Sequence, residues 1–538
     1  MANLFVDFTG GNDSNDGSTF ANRVKTITSG ITAARTAAGD VIRLMKSEDP
    51  VSLGINATFT NLSDTVTLAS ALTANIYASG AWTASANVTS STSTTRKEGA
   101  TSSSNVIAGA FTTGLVSYYA TGTLDLSGYT KCSLWIRASG SVAAGVLSIS
   151  LCTDTAGATP AHTFTINQAL STTSCPCITF DNGGALNSAI ESVALNAISD
   201  PSGITILIDN VIACNDLTLT SVIGLSSSAT SKEFYPIKSI NGTTIKLDAG
   251  TASDASTTTR GWFGTTTTAT CYKIEPIRPS TLSNSVQEAG TDTFTRSTYS
   301  GGWDTTNMTT QTGLTWIDAG DASNTPIATS MSNIAFEKIC TVRGAQGFNL
   351  TSSAENIRLT NCAAIGTAGS GFATSTGQYT AFESCEAYNN AGSGISAAGQ
   401  ISRIYECTAR NNQGSGFAPS MQLCTMRGIV ASNNGSSGVS VSASGCSIFG
   451  LTAQNNSSYG LTGILTAGSS VRAFNVTTSG NGSTGIRTQS GVIVASNTAC
   501  TDASPFSVTT DTGSLIVNNV SGDANISRMY HLNGSTIT

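Results

Sequence analysis

Apolar and polar residues in the second half of the chain recur with a long, fixed period. Segments reading NCAAIGTAGSGF, SCEAYNNAGSGI, ECTARNNQGSGF, GIVASNNGSSGV, GLTAQNNSSYGL and NVTTSGNGSTGI each place a glycine directly before an apolar residue. These glycines are Gly371, Gly394, Gly416, Gly438, Gly460 and Gly485, with steps of 23, 22, 22, 22 and 25, and Gly347 in CTVRGAQGF lies 24 residues earlier. Nine positions before the glycines stand Cys362, Cys385, Cys407, Ile429, Leu451 and Val476, and two residues later Ala364, Ala387, Ala409, Ala431, Ala453 and Thr478. Alternation at period two predicts a short strand with these side chains inward.

A polar corner follows each strand, and in four copies it holds an asparagine pair beginning at Asn389, Asn411, Asn433 and Asn455, all 22 apart. Asparagine tolerates the left-handed backbone of a sharp corner. Phe372, Ile395, Phe417, Val439, Leu461 and Ile486 then open the next strand. Strands this short at a fixed period predict coils stacked in register at about 4.8 Å, with like residues above like. The dense leucine pattern of a leucine-rich horseshoe, the rival architecture, is missing. Over about 200 residues the repeat resembles the parallel β-helix shared by pectate-lyase-like proteins and phage tailspikes, a fold that serves enzymes and non-enzymes alike.

Upstream, FVDFTGGNDSNDGSTFANRVKTITSGITAARTAAGDVIRL predicts a short strand, a polar loop, an amphipathic helix near residues 24–37 and a strand from Asp40 to Leu44. This resembles the opening cap of β-helix proteins, which covers the first coil and its unpaired edge. Asp13 and Asp16 read as turn residues, since their loop lacks the glutamate that completes an EF-hand. From about 79 to 214 longer strands take over, and LDLSGYTKCSLWIRA and ITILIDNV resemble a jelly-roll module of the carbohydrate-binding, galactose-binding-like type. That resemblance implies a structural calcium ion held by Glu98 and Asp209. A sugar site there would draw on Trp82, Tyr118 and Tyr119, while Trp135, flanked by Leu134 and Ile136 in a strand, reads equally well as core. At 233–250 the chain reads as a hairpin turning at Asn241 and Gly242.

The expected architecture is all-β: a right-handed parallel β-helix with an inserted antiparallel β-sandwich of jelly-roll type. Its expected parts are a cap and first coils (1–78), the jelly roll (79–214), coils with long loops (215–330) and regular coils (331–538).

Composition narrows the function. Only 11% of residues are charged, which disfavours both helical and disordered classes. The balance of 25 basic and 32 acidic residues, without a basic run, gives no electrostatic basis for nucleic-acid binding. No apolar run approaches the ~18 residues of a membrane span, and the N-terminal MANLFVD lacks the basic and apolar regions of a signal peptide, so a soluble protein outside the Sec route is expected. Thirteen cysteines, mostly in alternating apolar segments, point to free buried thiols made in a reducing compartment. Cys175 and Cys177 flank a proline, but no second pair or histidine cluster completes a metal set.

With only His162 and His531 present, a Ser/His/Asp or Cys/His arrangement is hard to assemble. Polysaccharide cleavage on β-helices would need paired carboxylates, or carboxylate-held calcium with a basic residue. The candidates are Glu383, Glu386 and Glu406, with Arg403 and Arg410 nearby. Beyond Gly414 the only acids are Asp502, Asp511 and Asp523, and no motif specifies a reaction, so the sequence leans against catalysis. The expected function is a bacteriophage virion protein, a tail spike, fibre or capsid decoration, made in host cytoplasm. It would contact other virion proteins and host surface polysaccharide, and by resemblance assemble as a homotrimer. The alternatives are a polysaccharide depolymerase and a purely architectural virion protein.

Overall fold

The computed structural model describes residues 3–8, 10–27, 41–47, 49–60, 63–171, 177–228, 231–248, 267–277, 286–288, 297–320, 324–330, 332–351, 355–375, 379–399, 401–420, 423–442, 444–465, 469–502, 506–508 and 513–521. They form two compact units: residues 1–47, 282–319 and 324–538, and residues 48–281 with 320–323.

The first unit is a right-handed parallel β-helix of 26 strands among the described residues, each paired in parallel with its equivalent on an adjacent coil. One coil comprises Thr380–Glu383, Glu386–Tyr388 and Ile395–Ala397, and the next comprises Ile401–Tyr405, Thr408–Arg410 and Phe417–Pro419. They pair in parallel register, with Phe382 against Ile404, Ala387 against Ala409 and Ile395 against Phe417. The predicted inward ladder is buried throughout, from Cys362, Cys385 and Cys407 to Ile429, Leu451 and Val476. Phe348 and Phe372 stack inside it at 4.8 Å.

Two columns of left-handed residues bend each coil. Asn361, Ser384, Glu406, Gly428, Gly450, Asn475 and Asn497 separate the first strand from the second, with φ between 50° and 73°. Asn389, Asn411, Asn433 and Asn455 form the corner after the second strand, with φ between 52° and 59°. The first member of each asparagine pair thus has the backbone conformation that its residue type predicts.

The ladder of amides is built by the second members. Asn390, Asn412, Asn434 and Asn456 are at most 1% exposed. Each side-chain Nδ2 donates to the Oδ1 of the next, at 2.9 Å from Asn390 to Asn412, 3.0 Å from Asn412 to Asn434 and 2.9 Å from Asn434 to Asn456. Each Oδ1 also accepts the backbone N–H of the preceding member, as Asn434 Oδ1 does from Asn412 at 3.1 Å. Thr367 opens the column and Asp502 closes it, accepting both donors of Asn481. Every turn of the column satisfies a buried N–H that the corner would otherwise orphan.

The recurrent glycine answers to the same packing. A Cβ on Gly416 would lie 2.7 Å from the carbonyl oxygen of Gly438 and 2.8 Å from Nδ2 of Asn434, and Gly394 and Gly438 are equally confined. No side chain fits between the glycine and the next coil.

At the amino end, Asn3–Val6 pairs with Val41–Met45, which pairs with Ser297–Trp303. Adjacent coils are therefore separated in sequence by the whole second unit. Of the amphipathic helix expected at 24–37, residues 28–37 lie outside the described residues. Asp13 accepts from the N–H groups of Lys25 and Thr26, and Asp16 from Ser18, so both carboxylates tie the loop locally.

The second unit corrects the expected boundaries. Its sandwich, built from strands between Thr73 and Cys214, has six- and five-stranded antiparallel sheets. The strands Val51–Phe59, Thr65–Leu68, Val222–Ser228, Ser231–Asn241, Thr244–Leu247 and Thr267–Ile274, in stretches expected as β-helix coils, instead close an antiparallel barrel, with Thr244 opposite Thr67 and Thr267 opposite Phe59. Their alternation buries one face per strand, and closure gives that face a core of Phe59, Leu225, Tyr235, Ile240 and Cys271 while removing the sheet edges. The hairpin at Asn241 and Gly242 joins two of the barrel strands.

Candidate functional site

The β-helix presents its most distinctive surface on the outer side of the first strand of each coil. Outward residues form three rows along the stacking direction. One row is Ile401, Leu423, Gly445 and Ser470, the second Arg403, Thr425, Ser447 and Arg472, and the third Tyr405, Arg427, Phe449 and Phe474. Rows arise because in-register stacking carries each outward position straight to its counterpart one coil on.

The small side chains of Thr425 and Ser447, with Gly445 and Ser470 beside them, leave a depression of about 390 Å³, lined by Ile401, Arg403, Leu423, Gly445, Ser447 and Arg472 among others. Arg403 and Arg472 mark its two ends, three strand spacings or roughly 14 Å apart. The third row flanks it with aromatic rings. Phe449 is 42% exposed and stacks on Phe474 at 5.4 Å with planes 8° apart. Leu423 is 56% exposed beside them.

Charge is unbalanced on this face. Arg403, Arg427 and Arg472 are exposed and make no ion pair among the described residues. Residues 401–500 contain five arginines, no lysine and one acid, Glu406, a net of +4 in a chain of −7. Exposed arginines without an ion pair among the described residues, hydroxyl groups between them and apolar rings alongside are groups that can hold a polar, ring-shaped ligand.

The expected catalytic acids do not converge. Glu383 pairs with Arg358 and sits on the outer side of the first strand. Glu386 lies past the bend on the second strand, 3.5 Å from Arg410. Glu406 occupies the left-handed bend itself, exposed, with φ 54°. Arg410 also lies over the ring of Tyr388 at 4.4 Å, which commits it to its own face. Two of the three acids are thus neutralised by arginines, and the bend separates Glu383 from Glu386.

The sandwich residues named for sugar binding are also relocated. Trp82 is 3% exposed and packs edge-on against Tyr77 at 5.5 Å, leaving no ring face for a sugar. Tyr119 meets the same Tyr77 at 5.0 Å, and Tyr118 is half-buried. Trp135 is core, donating its indole N–H to the Lys238 carbonyl at 2.6 Å.

Glu98 and Asp209 do come together, within a buried network between sandwich and barrel. Asp209 accepts the backbone N–H groups of Lys97, Glu98 and Asn210. Glu98 accepts from Ser239 and lies 3.8 Å from Lys246, while Lys97 lies 3.8 Å from Asp248. Burial pushes Asp209 up to about 7. With these donors and ammonium groups around the carboxylates, the residues present do not fit the calcium site that the resemblance implies, and no cluster of three metal-ligating side chains occurs among the described residues.

The twelve described cysteines are buried and none is in a disulfide, and burial pushes Cys340 and Cys385 well above the ordinary thiol range, so these two pack as apolar groups. Cys177 is one of them, whereas Cys175 and His531 lie outside the described residues. His162 stacks on Phe164.

No protein-family model and no curated protein matches this chain. Among solved structures, it is similar to the A-module of mannuronan C-5 epimerase AlgE6 from Azotobacter vinelandii, at 16% identity and TM-score 0.30 over 45% of this chain and 84% of that one. The corresponding AlgE4 module gives 15% and 0.30 over 45% and 83%. The catalytic domain of a GH87 alpha-1,3-glucanase in complex with nigerose gives 10% and 0.27 over 87% and 98%. Likeness at this level carries no argument about reaction or ligand, and the fold rests on the coil register itself.

Proposed function

We propose that this chain is a non-catalytic, glycan-binding parallel β-helix protein carried on the surface of a bacteriophage virion. The observation that supports binding is the face formed by Tyr405, Phe449 and Phe474 beside the depression, of mixed polar and apolar lining, between Arg403 and Arg472. Aromatic rings supply flat apolar contact at low entropic cost, and the neighbouring hydroxyl and guanidinium groups supply directional donors.

Binding without cleavage is favoured by the placement of the acids. Glycoside hydrolysis requires two carboxylates flanking one bond, about 5–10 Å apart. Here Glu383 and Glu386 are paired with arginines on different strands, which leaves Glu406 as the one acid of the three without an ion pair among the described residues. The virion setting and a homotrimeric state belong to the same reading; the buried thiols suit the folding in a reducing cytoplasm that the virion setting requires.

The test is a glycan array probed with the full chain and with the Y405A/F449A/F474A variant. Wild-type binding that falls at least about tenfold in the variant supports the reading, because truncating an anchor aromatic ordinarily costs that much. Equal binding by both proteins, or no binding by either, overturns it. Release of reducing ends or unsaturated products from a bound polysaccharide overturns the non-catalytic part and restores the depolymerase reading, with Glu406 as the first residue to replace.

A further inference from the structure

The charge of the candidate face identifies the class of glycan. We infer that the depression selects acidic polysaccharides, those carrying carboxylate or sulfate groups, with Arg403, Arg427 and Arg472 as the anion-binding residues. This rests on the glycan-binding reading and adds ligand charge to it.

The inference begins from a contrast along one outer face. On the earlier coils the arginine is compensated: Arg358 lies against Glu383, its neighbour on the adjoining coil. Over the next four coils the compensation stops. The rows contain Arg403, then Arg427, then Arg472, and the other outward positions on these coils are uncharged: threonine, serine, glycine, aromatic, or aliphatic at Ile401 and Leu423. Glu406, on the bend beside Tyr405, is the single acid between residues 401 and 500.

Uncompensated arginines are costly to concentrate without purpose, since like charges on one surface repel and a nearby acid would relieve them. In a chain where acids outnumber bases by 32 to 25, the local excess runs against the global balance. Guanidinium groups at both ends of the depression, roughly 14 Å apart, match a polymer with repeated anionic groups better than one isolated anion. Each can hold a carboxylate or sulfate through two parallel N–H donors, while the stacked pair Phe449 and Phe474 offers its exposed apolar edge beside the sugar. A neutral glycan would leave the three charges unanswered.

The experiment uses the full chain, with polygalacturonate against its methyl-esterified form, and dextran sulfate against dextran, measured by biolayer interferometry at low and high salt. The expected result is binding to the charged member of a pair at least tenfold tighter than to the neutral one, weakening as salt rises. The first pair reports carboxylate recognition and the second sulfate. R403A/R427A/R472A is expected to lose about tenfold to a hundredfold on the charged probe, as removal of three exposed charge-assisted contacts implies. E406Q, which removes the lone negative charge, is expected to bind tighter.

Because the arginines, Glu406 and Phe449 are exposed and Tyr405 and Phe474 are half-buried on the outer face, each variant should keep the wild-type circular dichroism, and only variants that do so are compared. Equal binding of both members of each pair, with affinity lost in Y405A/F449A/F474A but not in the arginine variant, overturns the acidic class and leaves glycan binding standing. No binding to any of the four probes overturns this inference whether or not an array finds another glycan. Tighter binding to single-stranded DNA than to either charged glycan, through the same arginines, overturns it in favour of a nucleic acid. Self-association that requires Phe449 and Phe474 and is insensitive to all four probes overturns it in favour of a second copy of the chain.

Discussion

Replacing Asn434 by alanine tests whether the buried amide column, rather than the corner conformation, is what the asparagine pair supplies. The side chain makes four hydrogen bonds: its Oδ1 accepts from the backbone N–H and Nδ2 of Asn412 at 3.1 and 3.0 Å, and its Nδ2 donates to the Ala409 carbonyl at 3.1 Å and Asn456 Oδ1 at 2.9 Å. Alanine leaves the Asn412 N–H, which is buried, without its acceptor, at about 1–3 kcal/mol. Asn412 Nδ2 retains Ala387 O, and Asn456 Oδ1 retains the Asn434 N–H. The three other losses therefore cost about 0.5–1.5 kcal/mol each, and the whole change should destabilise the local coils by roughly 3–7 kcal/mol. Coil stacks unfold partly by region, so hydrogen exchange at the Asn412 amide is a sharper assay than a global midpoint. Protection there should fall by at least about a hundredfold, since each 1.4 kcal/mol is a factor of ten.

Asn433 supplies the contrast. It carries φ 52°, so glycine in its place should hold stability within about 1 kcal/mol, because glycine reaches the left-handed region freely. Glycine at 434 should be as damaging as alanine. If Asn434→Ala costs less than 1 kcal/mol, or if Asn433→Gly proves the more harmful, the division of labour between the two asparagines is wrong.

Gly416→Ala should lower Tm by several degrees or prevent folding, because its Cβ would press on the Gly438 backbone 2.7 Å away, whereas Gly242→Ala, in open space but at φ 59°, should cost only about 1–2 kcal/mol. Asp209, raised by burial from 3.8 to about 7, should add stability that is complete below pH 3.8 and lost as pH rises through about 7, so Asp209→Asn should flatten the pH dependence of amide protection at Lys97 and Glu98 across that window. Calcium at millimolar concentration should leave Tm unchanged, since the Glu98 and Asp209 carboxylates are held by protein donors, and a rise would show that they ligate the ion. The triple variant E383Q/E386Q/E406Q should retain glycan binding in an array measurement, and its loss would return the acids to the site.

What the sequence determines by itself is whatever burial imposes on every coil. Cys385, Ala387, Ile395 and the glycine at 394 must recur because each meets its equivalent in the next coil, so their spacing is written into the chain. The left-handed corners at Asn389, Asn411, Asn433 and Asn455 were legible for the same reason, as few residue types accept that backbone. The amide column was half legible: the pair was visible, but only the direction of the side chains shows that Asn434 rather than Asn433 is hydrogen-bonded along it.

The candidate face was not legible, because outward residues meet solvent and no packing forces them to repeat. Arg403 and Arg472 share a row although 69 residues apart, a distance of two coils of 22 and one of 25, and Arg427 stands one row over. The acids Glu383 and Glu386, close in sequence, were for the same reason misleading, since the left-handed Ser384 turns them onto different faces. The extent of the second unit was likewise a tertiary fact. Strands at 51–68 and 222–274 alternate like many others, and only their pairing across about 180 intervening residues, Thr244 to Thr67, closes a barrel that no local pattern announces.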